Sequence, residues 1–299
     1  KFMDMDLVSA PPPSAGGVLI LQMLKVLEGF PLKDISQRTP EYVHLLSEVM
    51  KRAYADRSQF VGDPEFILQD FSKLISEPYI EALRKNISLE KATPSAQIKG
   101  GQFLDDKTHT THLSVMDVDG NAVASTLTIN DTFGACVIAP GTGVFLNDEM
   151  DDLSAKPGVA NIYGLTGDTA NEIRPLKRPA SSMSPTIILK QGQPILVAGA
   201  AGGSRITTSV LQVLLNDLIV YSGNLKKAIF APRIHQQWTP ESLDLEEGYS
   251  DLTRGHLESI GEKIRKAPWS AITQATHLEQ DGKVRAVFDP RDEGGAEAY

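Results

Sequence analysis

The chain has 299 residues, 41% of them hydrophobic and 22% charged, which suits one large domain or two ordinary ones around a full core. Its formal net charge of -9, with no run of lysines or arginines, excludes the phosphate-neutralising surface on which nucleic-acid binding depends. The single cysteine, Cys136, excludes an internal disulfide and a cysteine-based metal site. No apolar run approaches the ~20 residues needed to span a bilayer, and "KFMDMDLVSA" lacks the basic-then-apolar layout of a signal peptide.

In chain order, "MDMDLVSA" reads as a short strand ended by a turn at "PPPSAGG", and "VLILQMLKVLEGF" as a helix apolar on nearly every side that needs covering layers. Thr39 and Pro40 fit an N-cap and first helical position, followed by the apolar stripe Tyr42, Leu45, Leu46, Val49 and Ala53. Residues 57 to 107 read as short helices joined by turns, ending in a polar, glycine-containing stretch suited to cleavage or insertion. After Thr110 the texture changes to strands. Three hairpins are predicted: "THLSVMDV" with "AVASTLTI" around "DGN", "SPTIILK" with "PILVAGA" around "QGQ", and "ATHLEQDGKVRAVFDP" around "QDGK". A long apolar helix is expected over "SRITTSVLQVLLNDLIVYS" and a surface helix over "DLTRGHLESIGEKIRK". Helices first, hairpins next and helices among them give an α+β layered fold without internal repeats.

The strand entry "HTTH" raises the question of a nucleophile. A threonine hydroxyl stays protonated at neutral pH and needs a base beside it. If the bond between His109 and Thr110 is cut, Thr110 gains an α-amine with a reference pKa of about 7.7, so one residue carries nucleophile and base together. The same hydroxyl could make the cut, by attack on the His109 carbonyl to give an ester that water opens. Taken alone, Thr110 and Thr111 read first as β-branched residues starting a strand. Cys136 is a rival nucleophile without a paired histidine, and reads as packed and inert. His112 and His235 are not at metal-ligand spacing, so no metal is expected.

"TTHLSVMDVDGNAVASTLTIN", "FLNDEMDDLSAKPG", "KRPASSMSPTI" and "GAAGGSR", in this order and spacing, resemble the small subunit of the gamma-glutamyltransferases (gamma-glutamyl transpeptidases), members of the N-terminal nucleophile hydrolases. "PPPSAGG" and "YADRSQFVGDP" resemble the final part of that family's large subunit. The resemblance implies self-cleavage before Thr110, with residues 1–109 as the C-terminal part of the large subunit and 110–299 as the small subunit, together one structural domain. It also implies a four-layer αββα sandwich, incomplete in this chain, and a periplasmic, secreted or membrane-anchored location. An incomplete sandwich would expose sheet edges and apolar faces.

By the same resemblance, Asn130, Glu149 and Asp152 are acceptors for the α-ammonium of a gamma-glutamyl substrate, and Ser181 and Ser182 are donors to its α-carboxylate. Gly202 and Gly203 would supply backbone N–H groups to the oxyanion, Thr128 would bond the nucleophile, and Tyr163 would gate the pocket from the lid "PGVANIYGLTGD". Read without the resemblance, these are solvated loop acids, turn-forming serines, an ordinary strand threonine, a glycine-containing loop and, at the glycine pair, a phosphate cradle lacking either common glycine signature. No residue range matches the large-subunit arginine that pairs with the substrate carboxylate. The implied activity is gamma-glutamyl transfer from a glutathione-like donor to water or an amino acid, with no metal or organic cofactor. The alternatives are an amidase or acylase of the same fold and a truncated, non-catalytic relative.

Overall fold

The computed structural model describes residues 1–32, 39–68, 70–98, 110–267 and 270–298. Its elements in chain order begin with β1 (Asp6–Ser9), α1 (Gly16–Leu27), α2 (Pro40–Phe60) and α3 (Glu77–Lys85). The hairpin β2 (Thr110–Met116) and β3 (Ala122–Thr128) follows, then β4 (Thr186–Lys190), β5 (Gln193–Ala201), α4 (Arg205–Leu215), α5 (Leu225–Phe230) and β6 (Ile234–His235). The chain ends through β7 (Leu243–Leu245), α6 (Asp251–Ser259), β8 (Ile264–Lys266), β9 (Ile272–Leu278) and β10 (Val284–Val287).

Five strands form an antiparallel sheet in the order β1-β4-β5-β9-β10, so two of the predicted hairpins are joined edge to edge through β5 and β9. One face carries the main core. Leu196, Ala198 and Ala200 of β5 pack there with Leu19, Met23 and Leu27 of α1 and Val210 and Leu214 of α4. The alternate residues of β5 face the β2–β3 hairpin. Gly199 lies directly under the His112 ring, where an added Cβ would come within 2.2 Å of the imidazole, so only glycine lets the two sheets close at this point. The result is an α+β sandwich: a two-stranded sheet, a five-stranded sheet and a helical layer.

Local chemistry accounts for most boundaries. Thr39 caps α2 by accepting from the Tyr42 N–H at 3.4 Å, and Pro40 occupies the first turn. In the first hairpin Asp117 Oδ1 accepts from the Asp119 and Asn121 N–H groups at 3.0 and 2.8 Å, and Gly120 takes a positive φ of 85°. Two expected helices are shorter than their apolar patterns. The helix from Arg205 passes into a π-helical turn over Asn216–Val220, because the buried Asn216 amide bonds the Ala228 carbonyl at 3.2 Å and Asp217 bonds His277 at 2.7 Å. α6 stops at Ser259, ahead of Gly261 with φ of 100°, and Ile264–Lys266 becomes a strand parallel to β7.

Expectations about exposure are redistributed. α1 is already covered within the chain, with Leu19, Ile20, Met23, Leu24 and Leu27 all buried among α2, α3 and α4. The uncovered apolar face belongs to the hairpin instead: Leu113, Val115, Val123 and Leu127 point away from β5 and are exposed. Among the described residues no element covers them.

The chain end is tied down by charge. Arg233 and Asp289 form an ion pair buried on both sides, Asp289 Oδ2 also accepts from the Thr273 N–H at 2.9 Å, and Arg233 donates to the Ala271 carbonyl at 2.6 Å. Breaking a buried pair leaves one charge uncompensated. Asp289→Asn is therefore expected to destabilise the fold by about 3–5 kcal/mol in denaturant unfolding, whereas exposed Asp281→Asn should change little.

Candidate active site

β2 begins on Thr110, which pairs with Thr128 across the hairpin. The Thr110 hydroxyl donates to Thr128 Oγ1 at 3.1 Å, and Thr128 Oγ1 also accepts from the Asn130 N–H at 2.9 Å. His109 and the bond it makes to Thr110 lie outside the described residues. Two positions on, His112 points inward onto the five-stranded sheet. Its Nε2 meets Ser114 Oγ at 3.0 Å and its Nδ1 meets Thr126 Oγ1 at 2.7 Å. Burial pulls its pKa down to about 4, so the ring is a neutral strut at pH 7.

Asn130 turns the chain with a positive φ of 75° and donates from Nδ2 to the Asp148 carbonyl at 3.3 Å. Its own carbonyl accepts from the Tyr163 hydroxyl at 2.8 Å. Tyr163 is buried against Tyr54, Ala55, Leu165 and Trp238. Its loop is fixed by Asn161, whose Oδ1 accepts from the Tyr163 and Leu165 N–H groups at 3.0 and 3.1 Å, and by Asp151, which accepts from the Ile162 N–H at 2.7 Å.

The turn Glu149–Asp152 delivers Asp152 into a buried position, where Asn161 Nδ2 reaches Oδ1 at 3.4 Å. Burial pushes the Asp152 carboxyl up to about 7; Arg57 opposes the rise, and Glu149, Asp151 and Asp148 add to it. Glu149 is half-buried, and its carboxyl is raised by burial and then by Asp148. Arg57, buried on α2, reaches Ser182 Oγ at 3.4 Å and the Ala180 carbonyl at 3.5 Å, while its Nε finds no hydrogen-bond partner. Ser181 is held by backbone exchange with the proline turn: its N–H donates to the Pro13 carbonyl at 3.2 Å, and its carbonyl accepts from the Ala15 N–H at 2.8 Å. Asn171 joins the two loops, donating to the Asp152 carbonyl at 2.7 Å and accepting from the Ala180 N–H at 3.1 Å.

Gly202 and Gly203 form the turn into α4, with φ of 148° and 50°. A Cβ on Gly202 would lie 2.5 Å from the Ala271 side chain, so Gly202 is required by space and by backbone angle together, and Gly203 by its backbone angle. The next residue, Ser204, accepts from the Tyr54 hydroxyl through its carbonyl and donates from Oγ to Gln237 Oε1 at 2.7 Å.

A path of hydrogen bonds thus joins Thr110, Thr128, Asn130, Tyr163 and the loop of Asp152, while Ser182 is linked to that loop through Arg57 and Asn171. Each predicted serine donor is also an acceptor: Ser181 Oγ accepts from the Met183 N–H at 3.1 Å within its own turn, and Ser182 Oγ from Arg57. Sequence reasoning missed Arg57, Asn161, Asn171 and Gln237. The sequence signal at Arg57 is its place within "YADRSQFVGDP"; its burial, shared by α2 on all sides from Tyr42 to Ser58, is visible only in the structure. Cys136, expected to be packed, is exposed with φ of 55°. One buried trio, His44, Glu48 and Glu262, has the composition of a metal site, its ligand atoms within 4.8 Å of one another. Its negative charge is already met by Lys51, 2.9 Å from Glu48 Oε1 and 4.0 Å from Glu262 Oε2, and by Arg52 at 2.5 Å from the other Glu48 oxygen.

The model of the gamma-glutamyltranspeptidase family matches residues 1–299. The chain belongs to that family. The glutathione hydrolase proenzyme of Escherichia coli (strain K12) is 44% identical over 291 residues, 97% of this chain and 50% of the relative. The Acylase ACY 1 proenzyme of Pseudomonas sp. (strain SE83) is 37% identical over 270 residues, 90% of this chain and 45% of the relative. The chain spans about half the length of the curated relatives it matches. Among solved structures, a Helicobacter pylori gamma-glutamyltranspeptidase variant is 44% identical with a TM-score of 0.59, covering 61% of this chain and 100% of its own. The cephalosporin acylase of Bacillus halodurans, at 24% identity and a TM-score of 0.81 over 100% of this chain and 52% of its own, shares the fold.

Tyr163 is expected to behave as a buried latch. Tyr163→Phe removes one buried hydrogen bond, worth about 1 kcal/mol, and should lower the melting temperature by about 2 °C. It should also speed limited proteolysis within residues 156–168, and unchanged cleavage of that loop would show that the Asn130 contact does not hold it.

Proposed function

We propose that these residues form the catalytic half of a gamma-glutamyltransferase acting on glutathione-like donors, with residues 110–299 as a small subunit released by self-cleavage before Thr110. The observation that carries the reading is the Thr110 hydroxyl paired to Thr128 at the first position of β2, on a path of hydrogen bonds leading to the buried Asp152. Once Thr110 is a chain terminus, its α-amine takes the hydroxyl proton as Oγ1 attacks the gamma-carbonyl carbon. The tetrahedral oxyanion is received by the backbone N–H groups of Gly202 and Gly203, and the amine leaves with the proton. Water or an amino-acid amine then attacks the Thr110 ester, and the hydroxyl is regenerated. Nucleophile and base both reside in Thr110, so the chemistry requires no cofactor.

The substrate head meets two kinds of charge. Asp152, with Glu149 and Asn130 beside it, is the acceptor for the α-ammonium, and Ser181 and Ser182 are donors to the α-carboxylate. Arg57 stands behind Ser182 as a positioning cation that favours the ionised form of Asp152 against burial. The Pseudomonas acylase likeness favours a second reading, an acyl amide without the amino-acid head. Turnover of gamma-glutamyl-p-nitroanilide against such an amide separates the two. Among the described residues no helix is long and apolar enough to cross a membrane; the family resemblance supports a periplasmic or secreted protein.

Three outcomes test the proposal on the protein that carries these residues. Mass spectrometry should find cleavage between His109 and Thr110, dividing this stretch into 109 and 190 residues (299 minus 109). Thr110→Ala should stay whole, and efficient cutting of that variant at the same bond would remove the mechanism. Asp152→Ala should still cleave itself but lose about 2–5 kcal/mol in kcat/KM for a gamma-glutamyl donor, because a desolvated charge loses its partner. Normal kinetics in that variant would sink the amino-acid-head assignment.

The pH dependence follows from the raised carboxyl. Ammonium binding needs ionised Asp152, so kcat/KM should fall as pH drops below about 7, where the carboxyl takes up its proton. The Thr110 amine titrates nearby. The Asp152 share is isolated as the part of the limb that Arg57→Met moves to higher pH and Arg57→Lys restores. A limb that stays in place in Arg57→Met would end the role given to Arg57.

A further inference from the structure

Gln237 follows β6 and is buried, and every hydrogen-bonding position of its amide is engaged. Oε1 accepts from Ser204 Oγ at 2.7 Å and faces His235 Nε2 at 2.7 Å. Nε2 donates to the Tyr163 carbonyl at 3.1 Å and to the Thr239 carbonyl at 3.2 Å. Turning the amide over would set its oxygen against two carbonyls, so the partners fix its orientation. They also bear on the histidine: with Gln237 Oε1 as an acceptor, His235 carries its proton on Nε2, while its Nδ1 lies 2.8 Å from Thr208 Oγ1, which also meets the Arg205 carbonyl at 3.1 Å. Burial, which lowers the His235 pKa to about 3, keeps that ring neutral.

We infer that Gln237 is a positioning residue for the reaction, whose amide sets the separation between the glycine pair at the head of α4 and the Tyr163 loop. The inference rests on the transfer function proposed above. On one side, Ser204 directly follows Gly203. On the other, Tyr163 holds Asn130, Asn130 holds Thr128, and Thr128 holds the Thr110 hydroxyl. Gln237 closes the circuit between the oxyanion donors and the nucleophile. Tyr54 braces the same junction, bonding the Ser204 carbonyl and standing edge-on to His235 with ring centroids 5.8 Å apart. An amide that can neither lengthen nor exchange a partner without leaving a buried group unpaired is suited to this task, because displacement of reacting groups by about 1 Å can cost ~100-fold in rate.

A double-mutant cycle reads the coupling directly. Ser204→Ala and Tyr163→Phe are made singly and together, in the Gln237 protein and in Gln237→Glu. The glutamate keeps acceptor oxygens for Ser204 and His235 but offers no N–H to the Tyr163 and Thr239 carbonyls. With gamma-glutamyl-p-nitroanilide, Gln237→Glu alone should lower kcat about tenfold or more while KM moves by less than about threefold. In the Gln237 background the combined loss in kcat should differ from the product of the single losses by about threefold or more, and in Gln237→Glu the losses should multiply. Losses that multiply in both backgrounds, or an unchanged kcat in a folded Gln237→Glu protein, would overturn the inference. Should Gln237→Glu fail to fold, the cycle in the Gln237 background decides alone. No turnover in the unsubstituted protein would instead remove the transfer function. Positioning is then read from amide hydrogen exchange over residues 160–166, which Gln237→Glu should accelerate and which, if unchanged, counts against it.

Discussion

The contact on which the site depends is between an imidazole and a glycine. His112 packs against Gly199, and that approach seats the β2–β3 hairpin on the middle of the five-stranded sheet. The ring is neutral, wedged by Ser114 and Thr126, and cannot gain charge near neutral pH to push the layers apart. Thr110 is two residues from this anchor, so its hydroxyl inherits a position set by sheet packing. A larger side chain at residue 199 would lift the hairpin and carry Thr110 with it.

Around that fixed point the protein keeps several buried polar groups only partly satisfied. Asp152 is buried with a raised carboxyl, Arg57 opposes that rise by its charge yet has an Nε without a hydrogen-bond partner, and no ion pair joins the two. A cavity built for stability would pair them. Holding them in reach of each other without direct contact costs stability and, on the proposed function, leaves each able to answer a zwitterion. The cost is offset elsewhere by closed charge networks, such as Lys51 and Arg52 with Glu48, and Arg291 with Glu246 and Asp289.

Much of this was legible in the residues. The Thr39-Pro40 cap, the "DGN" turn and the strand entry at Thr110 are local signals, and local signals survive in sequence because turn angles and caps involve near neighbours. The family likeness supplied the candidate acids, serines and glycines. What it could not supply were partners distant in the chain: Arg57 beside Ser182 across 125 positions, or Gln237 beside Tyr163 across 74. Neither has a periodicity to betray it. α1 is a different case: its all-round apolarity says that it must be covered but not by what, and α2, α3 and α4 provide the cover.

The hairpin is inside out by the usual standard of a half-buried sheet. His112, Ser114 and Thr126 face the protein, while Leu113, Val115, Val123 and Leu127 face away from it. Side chains alternate, so sliding one strand by a single residue would exchange those faces and give the aliphatic set to the interior. Hydrophobicity alone therefore favours the wrong alignment, in which Thr110 no longer meets Thr128. A layer laid over the outer face would do more than hide oil from water: by giving those four side chains a reason to point outward, it would make the pairing of Thr110 with Thr128 the preferred one from about 10 Å away, the spacing between stacked sheets.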